Sequence, residues 1–323
     1  MALKDEVLRR LRNARSPVSG QELAGELGVS RSAVWKAVNA LRRSGYEIDS
    51  ATNRGYSLLR EGDALSAETI SRLLEDKTLP VYVLETVDST SSECRRLLAS
   101  GVGRCLVLAR QQSGGRGRNG RAFFSPPDSG LYMSAALRLG MSHVDAVGIT
   151  TYAAVCVAGA IRDLTGLEVG VKWVNDVYYR GKKVCGILTE AVSSFEDGQA
   201  LSAIVGIGVN LHPSAVPEEL RDIVGFLNCG AVKNELAAEI INRLLRYDPR
   251  QRGYIDEYRA LSVVLGRRIS YVSGGAAHSG VAVDIDPSGG LVVQTGDIGR
   301  VTLNSGEISL TSVEGLNFSC KKK

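Results

Sequence analysis

Cys105-Leu106-Val107-Leu108-Ala109, then Gly114-Gly115-Arg116-Gly117-Arg118-Asn119-Gly120-Arg121, then Leu131-Tyr132-Met133-Ser134-Ala135-Ala136-Leu137, stand in this order near the middle of the chain. The first and last are short apolar runs that read as strands. Between them, four glycines and three arginines fall within eight residues. Glycine lets the backbone approach a ligand closely, and successive N–H groups then line an anion-binding concavity. Arginine adds a rigid fork of donors that matches carboxylate and phosphate. A solvated basic loop has the same composition, and so do disordered Gly/Arg tracts that bind RNA. Those tracts are long and repetitive, whereas this is one short insert between two apparent strands. It reads as a binding loop over an anionic ligand.

The chain has 323 residues, enough for two or three domains. With 44% hydrophobic and 23% charged residues it has the composition of a folded soluble protein. No apolar run reaches the roughly 18 residues of a membrane span; Tyr152 to Ile161 reads as a buried helix. Charges from Lys4 through Arg12 do not fit a signal peptide, so a cytoplasmic location is expected. Cys94, Cys105, Cys156, Cys185, Cys229 and Cys320 form no C-x-x-C pair and mostly sit in apolar runs, as reduced, buried thiols do. His143, His212 and His278 read as surface or loop residues, and no metal-ligand spacing is present.

The net charge of +4 is unevenly spread: residues 1–60 hold 11 Lys/Arg against 6 Asp/Glu. A basic head on a near-neutral body suggests that the head meets a polyanion. Lys4 to Asn13 predicts an amphipathic helix with Val7, Leu8 and Leu11 on one face. Gln21 to Leu27 predicts a second, burying Leu23, Ala24 and Leu27, with Gly28 at its C-terminus and Ser30 as N-cap of a third. In that third helix Val34, Ala37, Val38 and Leu41 recur at helical spacing, and Arg31, Ser32, Lys36, Asn39, Arg42 and Arg43 lie opposite. Two helices around a glycine turn form a helix-turn-helix. Gly45–Ser50 and Gly55–Leu59 then read as a hairpin wing around Thr52-Asn53-Arg54. The head resembles a winged helix-turn-helix DNA-binding domain; a protein-interaction helical domain is the alternative, and the charge excess favours DNA. Ser30, Arg31, Ser32, Trp35 and Lys36 would then face base edges in the major groove, and Arg54 phosphate or minor groove. Trp35 has a second reading, as a cap on the small core.

Glu61 to Ser66 reads as a linker. Val81 to Leu84 predicts a strand and Asp88-Ser89-Thr90-Ser91-Ser92-Glu93 the start of a helix. A long apolar helix is expected from Asp145 to Thr165, then strands over Val169–Val174, Val184–Ala191 and Leu201–Val209. Short turns between the first two favour an antiparallel or mixed sheet. Lys172-Trp173-Val174-Asn175-Asp176, Lys183 and Asn210 put polar groups at strand ends. Each alone reads as a turn former; together with the arginine loop they suggest a site on one sheet face. In the tail, Ile269–Val272, Val281–Ile285, Leu291–Gln294 and Ile308–Leu310 predict strands, with a hairpin turn at Asp286-Pro287-Ser288-Gly289-Gly290.

Ser89-Thr90, Gln112, Gly115 to Arg121, Lys172 to Asp176, Lys183, Asn210 and Gly306-Glu307-Ile308-Ser309-Leu310 follow the order and spacing of biotin protein ligases. With the winged helix in front, the chain resembles the bifunctional biotin ligases and biotin operon repressors of bacteria, over nearly its whole length. The resemblance implies an α+β multidomain fold: a winged helix-turn-helix over residues 1–62, a mixed-sheet, class II synthetase-like catalytic domain over 66–265, and an SH3-like barrel over 266–318. It implies biotin, ATP and Mg2+, biotin carboxyl carrier protein (the acetyl-CoA carboxylase subunit) and operator DNA as partners, and a homodimer when adenylate is bound.

By the same resemblance, Lys183 lies beside the biotin carboxylate and the α-phosphate. Arg118 holds the acyl phosphate, Arg116 orders the loop and meets biotin through its backbone, as does Gly117, and Arg121 contacts nucleotide phosphates. Ser89, Thr90, Ser91 and Gln112 bind biotin. Gly115, Asn175, Asp176 and Asn210 face the nucleotide and magnesium, and Asp176 either assists the incoming lysine or orients its neighbours. Three residues depart from the family pattern. Ser91 replaces an asparagine and has a shorter reach to the ureido group. Val174 replaces a proline and frees a backbone N–H, loosening the turn. Phe123 replaces a tryptophan and keeps a stacking face without the indole donor. A biotin-sensing regulator without ligase activity and a lipoate-type ligase are the alternatives.

Overall fold

The computed structural model describes residues 3–14, 16–43, 46–51, 55–60, 63–138, 146–193, 201–230, 232–296, 299–304 and 306–310. The chain separates into two compact units, Met1–Ala64 with Gly230–Asn234, and Leu65–Cys229 with Glu235–Lys323.

In the first unit α1 (Leu3–Asn13), α2 (Gly20–Leu27) and α3 (Arg31–Arg43) precede an antiparallel pair, β1 (Glu47–Ala51) and β2 (Gly55–Arg60). Helices this short are marginal in water, and a shared apolar core holds them. Val7, Leu8 and Leu11 bury against Leu23, Ala24, Val34, Ala37, Val38 and Leu41, with Tyr46 and Ile48 from the sheet side. Leu27, expected inside, is only partly buried. Gly28 ends α2 in the left-handed region at φ +64. Ser30 Oγ accepts from the Ala33 N–H at 3.2 Å and so caps α3. Of the expected linker, Glu61 and Gly62 lie outside the described residues. Asp63 Oδ1 is tied within this unit to the N–H groups of Val232 (3.0 Å) and Lys233 (2.9 Å).

The second unit begins with α4 (Ala67–Leu73), capped by Ser66, and continues through β3 (Val81–Val87), α5 (Thr90–Ala99), β4 (Cys105–Gln112), β5 (Gly130–Arg138), α6 (Ala146–Thr165), β6 (Gly170–Lys172), β7 (Asp176–Tyr179), β8 (Lys182–Ser193), β9 (Leu201–Asn210), α7 (Lys233–Leu244, in this unit from Glu235 on) and α8 (Tyr254–Leu261). The strands form one seven-stranded sheet in the order β3-β4-β5-β9-β8-β7-β6. Only β3 and β4 pair in parallel, which makes the sheet mixed, as expected. The strand expected over Val169–Val174 is shorter: it stops at Lys172, the chain turns at Trp173–Asn175, and β7 follows.

Alternation along the strands sorts the two faces. Leu106 and Leu108 of β4, Leu131, Met133 and Ala135 of β5, and Val205, Ile207 and Val209 of β9 join the main core with residues of α6, α7 and α8. Cys105 and Val107, Ala136 and Ile204 face the other way and pack with Cys94, Leu97 and Leu98 of α5. Among the described residues α6 is the helix long and apolar enough to cross a membrane, and 72% of its apolar window is buried inside the unit. Cys94, Cys105, Cys156 and Cys185 are buried and in no disulfide, and Cys229 is half-buried and likewise in none; Cys320 and His143 lie outside the described residues.

A second sheet of the same unit has five antiparallel strands, β10 (Arg268–Ser273), β11 (Ala276–Ile285), β12 (Leu291–Thr295), β13 (Gly299–Leu303) and β14 (Ile308–Leu310), in the order β13-β12-β11-β10-β14. Its expected turn is present: Asp286 Oδ1 accepts from the N–H groups of Ser288 and Gly290, and Gly289 takes φ +87.

Candidate active site

The register of the large sheet builds the site. Lys172 pairs with Asp176, Asp176 with Gly186, Gly186 with Gly208, and Gly208 with Tyr132. These residues form one row across five strands and share one face. A second row runs Leu188, Gly206, Ser134. Three glycines in two adjacent rows leave a floor without side chains. A cleft of about 290 Å³ lies over it, lined among others by Ser89, Thr90, Ser91, Gln112, Phe123 and Glu307 and by Arg116, Arg118, Arg121, Lys172 and Lys183.

One end of the cleft is an ordered chain of hydroxyls. Gln112 Oε1 accepts from the Thr90 N–H (2.8 Å) and from Thr90 Oγ1 (3.2 Å). Thr90 has one hydroxyl proton, so Ser134 Oγ donates to Thr90 Oγ1 (2.7 Å) and Ser91 Oγ donates to Ser134 Oγ (3.0 Å). Beyond Gln112 the chain continues through Ser125 Oγ (2.9 Å) to the Phe123 carbonyl (3.0 Å). Ser91, the origin of this chain, keeps its lone pairs for a ligand N–H. Ser134 is fully buried, and sequence reading did not single it out; its signal was a lone hydroxyl in an otherwise apolar run. Ser89 is buried at the start of α5 and makes no side-chain cap bond.

The other end is cationic. Lys183 Nζ lies 2.7 Å from Asp176 Oδ1, an ion pair without a well-directed hydrogen bond. Arg118 donates to Asn175 Oδ1 (3.2 Å), and Asn175 Nδ2 donates to the Ile187 carbonyl (2.9 Å). Arg121 pairs with Glu307 at 2.8 Å, and Asn119, at φ +55, donates to the same carboxylate. Arg116 pairs with Glu190 (3.6 Å), which also holds Arg95 (3.1 Å). Lys172 is half-buried, and its side chain has no hydrogen bond or ion pair among the described residues; burial pulls its pKa down. Glu307, Glu190 and Lys172 carried no assigned role in the sequence reading.

The arginine loop is a tight excursion between β4 and β5. Gly117 N–H donates to the Arg121 carbonyl (2.7 Å) and Phe123 N–H to the Gly115 carbonyl (2.8 Å). Gly115 lies behind this closure rather than on the cleft wall: a Cβ there would sit 2.5 Å from the Phe123 carbonyl oxygen. Asn210 also stands off the cleft, buried at the end of β9 beside Gly130. The other expected biotin and nucleotide residues meet there. Val174 stands at the turn between β6 and β7. It is buried, its carbonyl accepts from Tyr258 (3.2 Å), and the neighbouring Trp173 Nε1 donates to the Gly289 carbonyl (2.9 Å).

In the first unit, Arg31, Ser32 and Lys36 are exposed on α3, and Trp35 is 57% exposed, which removes its reading as a core cap. Ser30 is committed to capping and also contacts Ser32 Oγ at 2.9 Å. Arg42 leaves the free face, donating from Nε and an Nη to the Ile48 carbonyl (3.0 and 2.7 Å). Arg54, and the Arg43 side chain, fall outside the described residues.

The HTH-domain pattern matches residues 4–57, the biotin/lipoate A/B protein ligase family residues 85–210, and the biotin protein ligase C-terminal domain residues 264–311. The chain is 32% identical to the bifunctional ligase/repressor BirA of Bacillus subtilis, over 91% of this chain and 94% of that one. The chain belongs to the bifunctional biotin ligase/repressor family. The BirA of Escherichia coli is 30% identical over 92% and 94% of the two chains. The biotin protein ligase of Aquifex aeolicus, solved with biotin and ATP, superposes with a TM-score of 0.60 at 27% identity, covering 72% of this chain and 98% of that one. The departures at Ser91, Phe123 and Val174 are thus variations within a ligase/repressor framework.

Proposed function

We propose that this chain is an ATP-dependent biotin ligase that also represses a biotin operon. The observation that carries the reading is a single cleft with a polar hydroxyl end, a glycine floor and a cationic end, overlooked by the arginine loop. Biotin's ureido head takes the hydroxyl end, where Ser91 accepts from a ureido N–H and Ser89, Thr90 and Gln112 complete the contacts. The bicycle lies over Gly206 and Gly208 against Phe123. The carboxylate then reaches Lys183.

In the first step a carboxylate oxygen attacks the α-phosphorus, the bond to the β-phosphate breaks, and pyrophosphate leaves. Two anions must meet, and fixed cations offset their repulsion and the charge that builds on phosphorus. Lys183 exchanges Asp176 for the reacting oxygens. Arg118, freed from Asn175, grips the acyl phosphate and retains the adenylate, while Arg116 holds the loop through Glu190. Arg121, Asn175 and Asp176 serve the nucleotide, and Gly115 and Asn210 support it from behind. Magnesium bound to ATP would be held by Asp176 and Glu307, the carboxylates on this wall, together with the phosphates, and would offset phosphate charge. In the second step a carrier-protein lysine attacks the acyl carbon and AMP leaves. The carrier is biotin carboxyl carrier protein, and the reaction runs in the cytoplasm.

Residues 1–62, 66–265 and 266–318 are the working domains of this reading. The adenylate-bound chain pairs as a dimer and brings two α3 faces to a palindromic operator, with Arg31, Ser32, Trp35 and Lys36 towards bases and Arg54 towards the backbone or minor groove. Pyrophosphate release with biotin, lipoate and octanoate tests the ligase. Biotin-dependent release is expected; release with lipoate alone, or none, overturns it. A mobility shift on the chain's own biotin-operon promoter, with and without biotin and ATP, tests the repressor. A shift indifferent to both ligands would remove the regulatory half.

A further inference from the structure

The five cations of the cleft are not equivalent. Lys183 has Asp176, Arg121 has Glu307, Arg116 has Glu190, and Arg118 has the Asn175 amide. Among the described residues Lys172 has no such side-chain partner, although it is half-buried and its ammonium feels Asp176, Lys183, Glu307 and Arg121. A partly desolvated cation without a direct ion-pair partner is costly, and one on the wall of a binding cleft is balanced more fully when the ligand brings an anion.

The sheet register says which part of the ligand that is. The row Gly208, Gly186, Asp176, Lys172 leads away from the hydroxyl end in steps of one strand, about 4.8 Å each. Biotin occupies the glycine rows, and the reacting carboxylate and α-phosphate sit by Lys183 and Asp176. Lys172, on the edge strand β6, is one strand further along, within electrostatic reach of the Arg121–Glu307 pair. We infer that Lys172 binds the β,γ-phosphates of ATP and stabilises the pyrophosphate leaving group of the first step. The inference rests on the ligase reading and deepens it. As the carboxylate oxygen bonds to the α-phosphorus, the α–β bridge bond breaks and its electron pair leaves on pyrophosphate; Lys172 stays protonated throughout and compensates that charge. In the second step the leaving group is AMP, and Lys172 has no part in it.

The two half-reactions separate this role from a structural one. In K172M and K172Q, biotin-dependent pyrophosphate release should fall about ten- to a hundred-fold, the weight of one charge-assisted contact. Inhibition by added inorganic pyrophosphate should weaken by a similar factor. Transfer from supplied biotinyl-5′-adenylate to the carrier protein should stay within about twofold, and K172R should recover most of the first step. Equal losses in both half-reactions, unchanged pyrophosphate inhibition, or no loss at all would overturn the inference and leave the ligase reading standing. A wild-type chain that releases no pyrophosphate with biotin would overturn both. Two neutral variants are used so that misfolding of one leaves the test intact.

Discussion

Asp176 Oδ1 sits 2.7 Å from Lys183 Nζ on the cleft wall. In the proposed reaction Lys183 exchanges this carboxylate for a substrate oxygen. Lys183→Ala should cut adenylate formation about 10²- to 10³-fold, as removal of one donor at a developing charge does. Biotin binding by calorimetry should weaken far less. Equal losses in the two measurements would refute a transition-state role.

Among the described residues the Arg118 side chain reaches the neutral Asn175 amide alone, and in the proposed reaction it leaves that amide to follow the adenylate. Arg118→Gly should leave adenylate synthesis in place and release the intermediate to solution. Purified variant, mixed with the carrier and an unrelated lysine-rich protein, should biotinylate both. Labelling confined to the carrier would show that another group retains the adenylate.

The Phe123 ring requires a glycine at 208: a Cβ there would lie 2.4 Å from Phe123 Cε1. Gly208→Ala should displace the ring, cost about 1–3 kcal/mol of stability, and weaken biotin binding. Gly208→Ala combined with Phe123→Ala should be less destabilising than the sum of the two single changes. Strict additivity in thermal unfolding would mean that the ring does not rest on that glycine.

Ser134→Ala removes the central hydroxyl of the chain from Ser91 to Phe123 and leaves Thr90 and Ser91 short of a partner. It should destabilise the protein by about 1–3 kcal/mol and raise the biotin Kd. The Kd should rise more for biotin than for ATP, since the network sits at the hydroxyl end. A uniform loss for both ligands would argue for global damage.

Burial pushes the Cys156 thiol from 9.0 up to about 12 and raises Cys185 as well. The folded state thus holds protons that the unfolded chain gives up first, and the associated stability is full below pH 9 and lost as pH rises towards 12. Thiol labelling at pH 8, mapped by mass, should find Cys229 before Cys156 and Cys185, and the Tm should fall between pH 8.5 and 10.5. Early labelling of Cys156 would contradict the packing of α6.

The winged helix was legible because its core repeats at helical spacing and its turns carry Gly28 and Ser30 where caps require them. The strands β4, β5, β8 and β9 were legible as apolar runs. Short elements were not. β7 has Val177 as its one fully buried residue, β6 has three residues, and α7 and α8 bury their faces only against a core that distant strands complete. Among site residues, the arginine loop and Lys183 stood out by composition and resemblance. Ser134 looked like an interruption in a strand, while Glu307 and Lys172 stood within motifs of the resemblance but carried no role of their own.

The sequence by itself determined the order of the domains, the family, and the residue types that deal with anions, because glycine, arginine and apolar periodicity act locally. The tertiary structure alone decided which of them meet. Sheet register, a long-range property, aligned Lys172, Asp176, Gly186 and Gly208 in one row, seated Phe123 on bare backbone, and left Gly115 and Asn210 off the cleft wall. Among the described residues it also gave each cation of the cleft wall except Lys172 a side-chain partner, and charge compensation between residues far apart in the chain depends on geometry that no local pattern encodes.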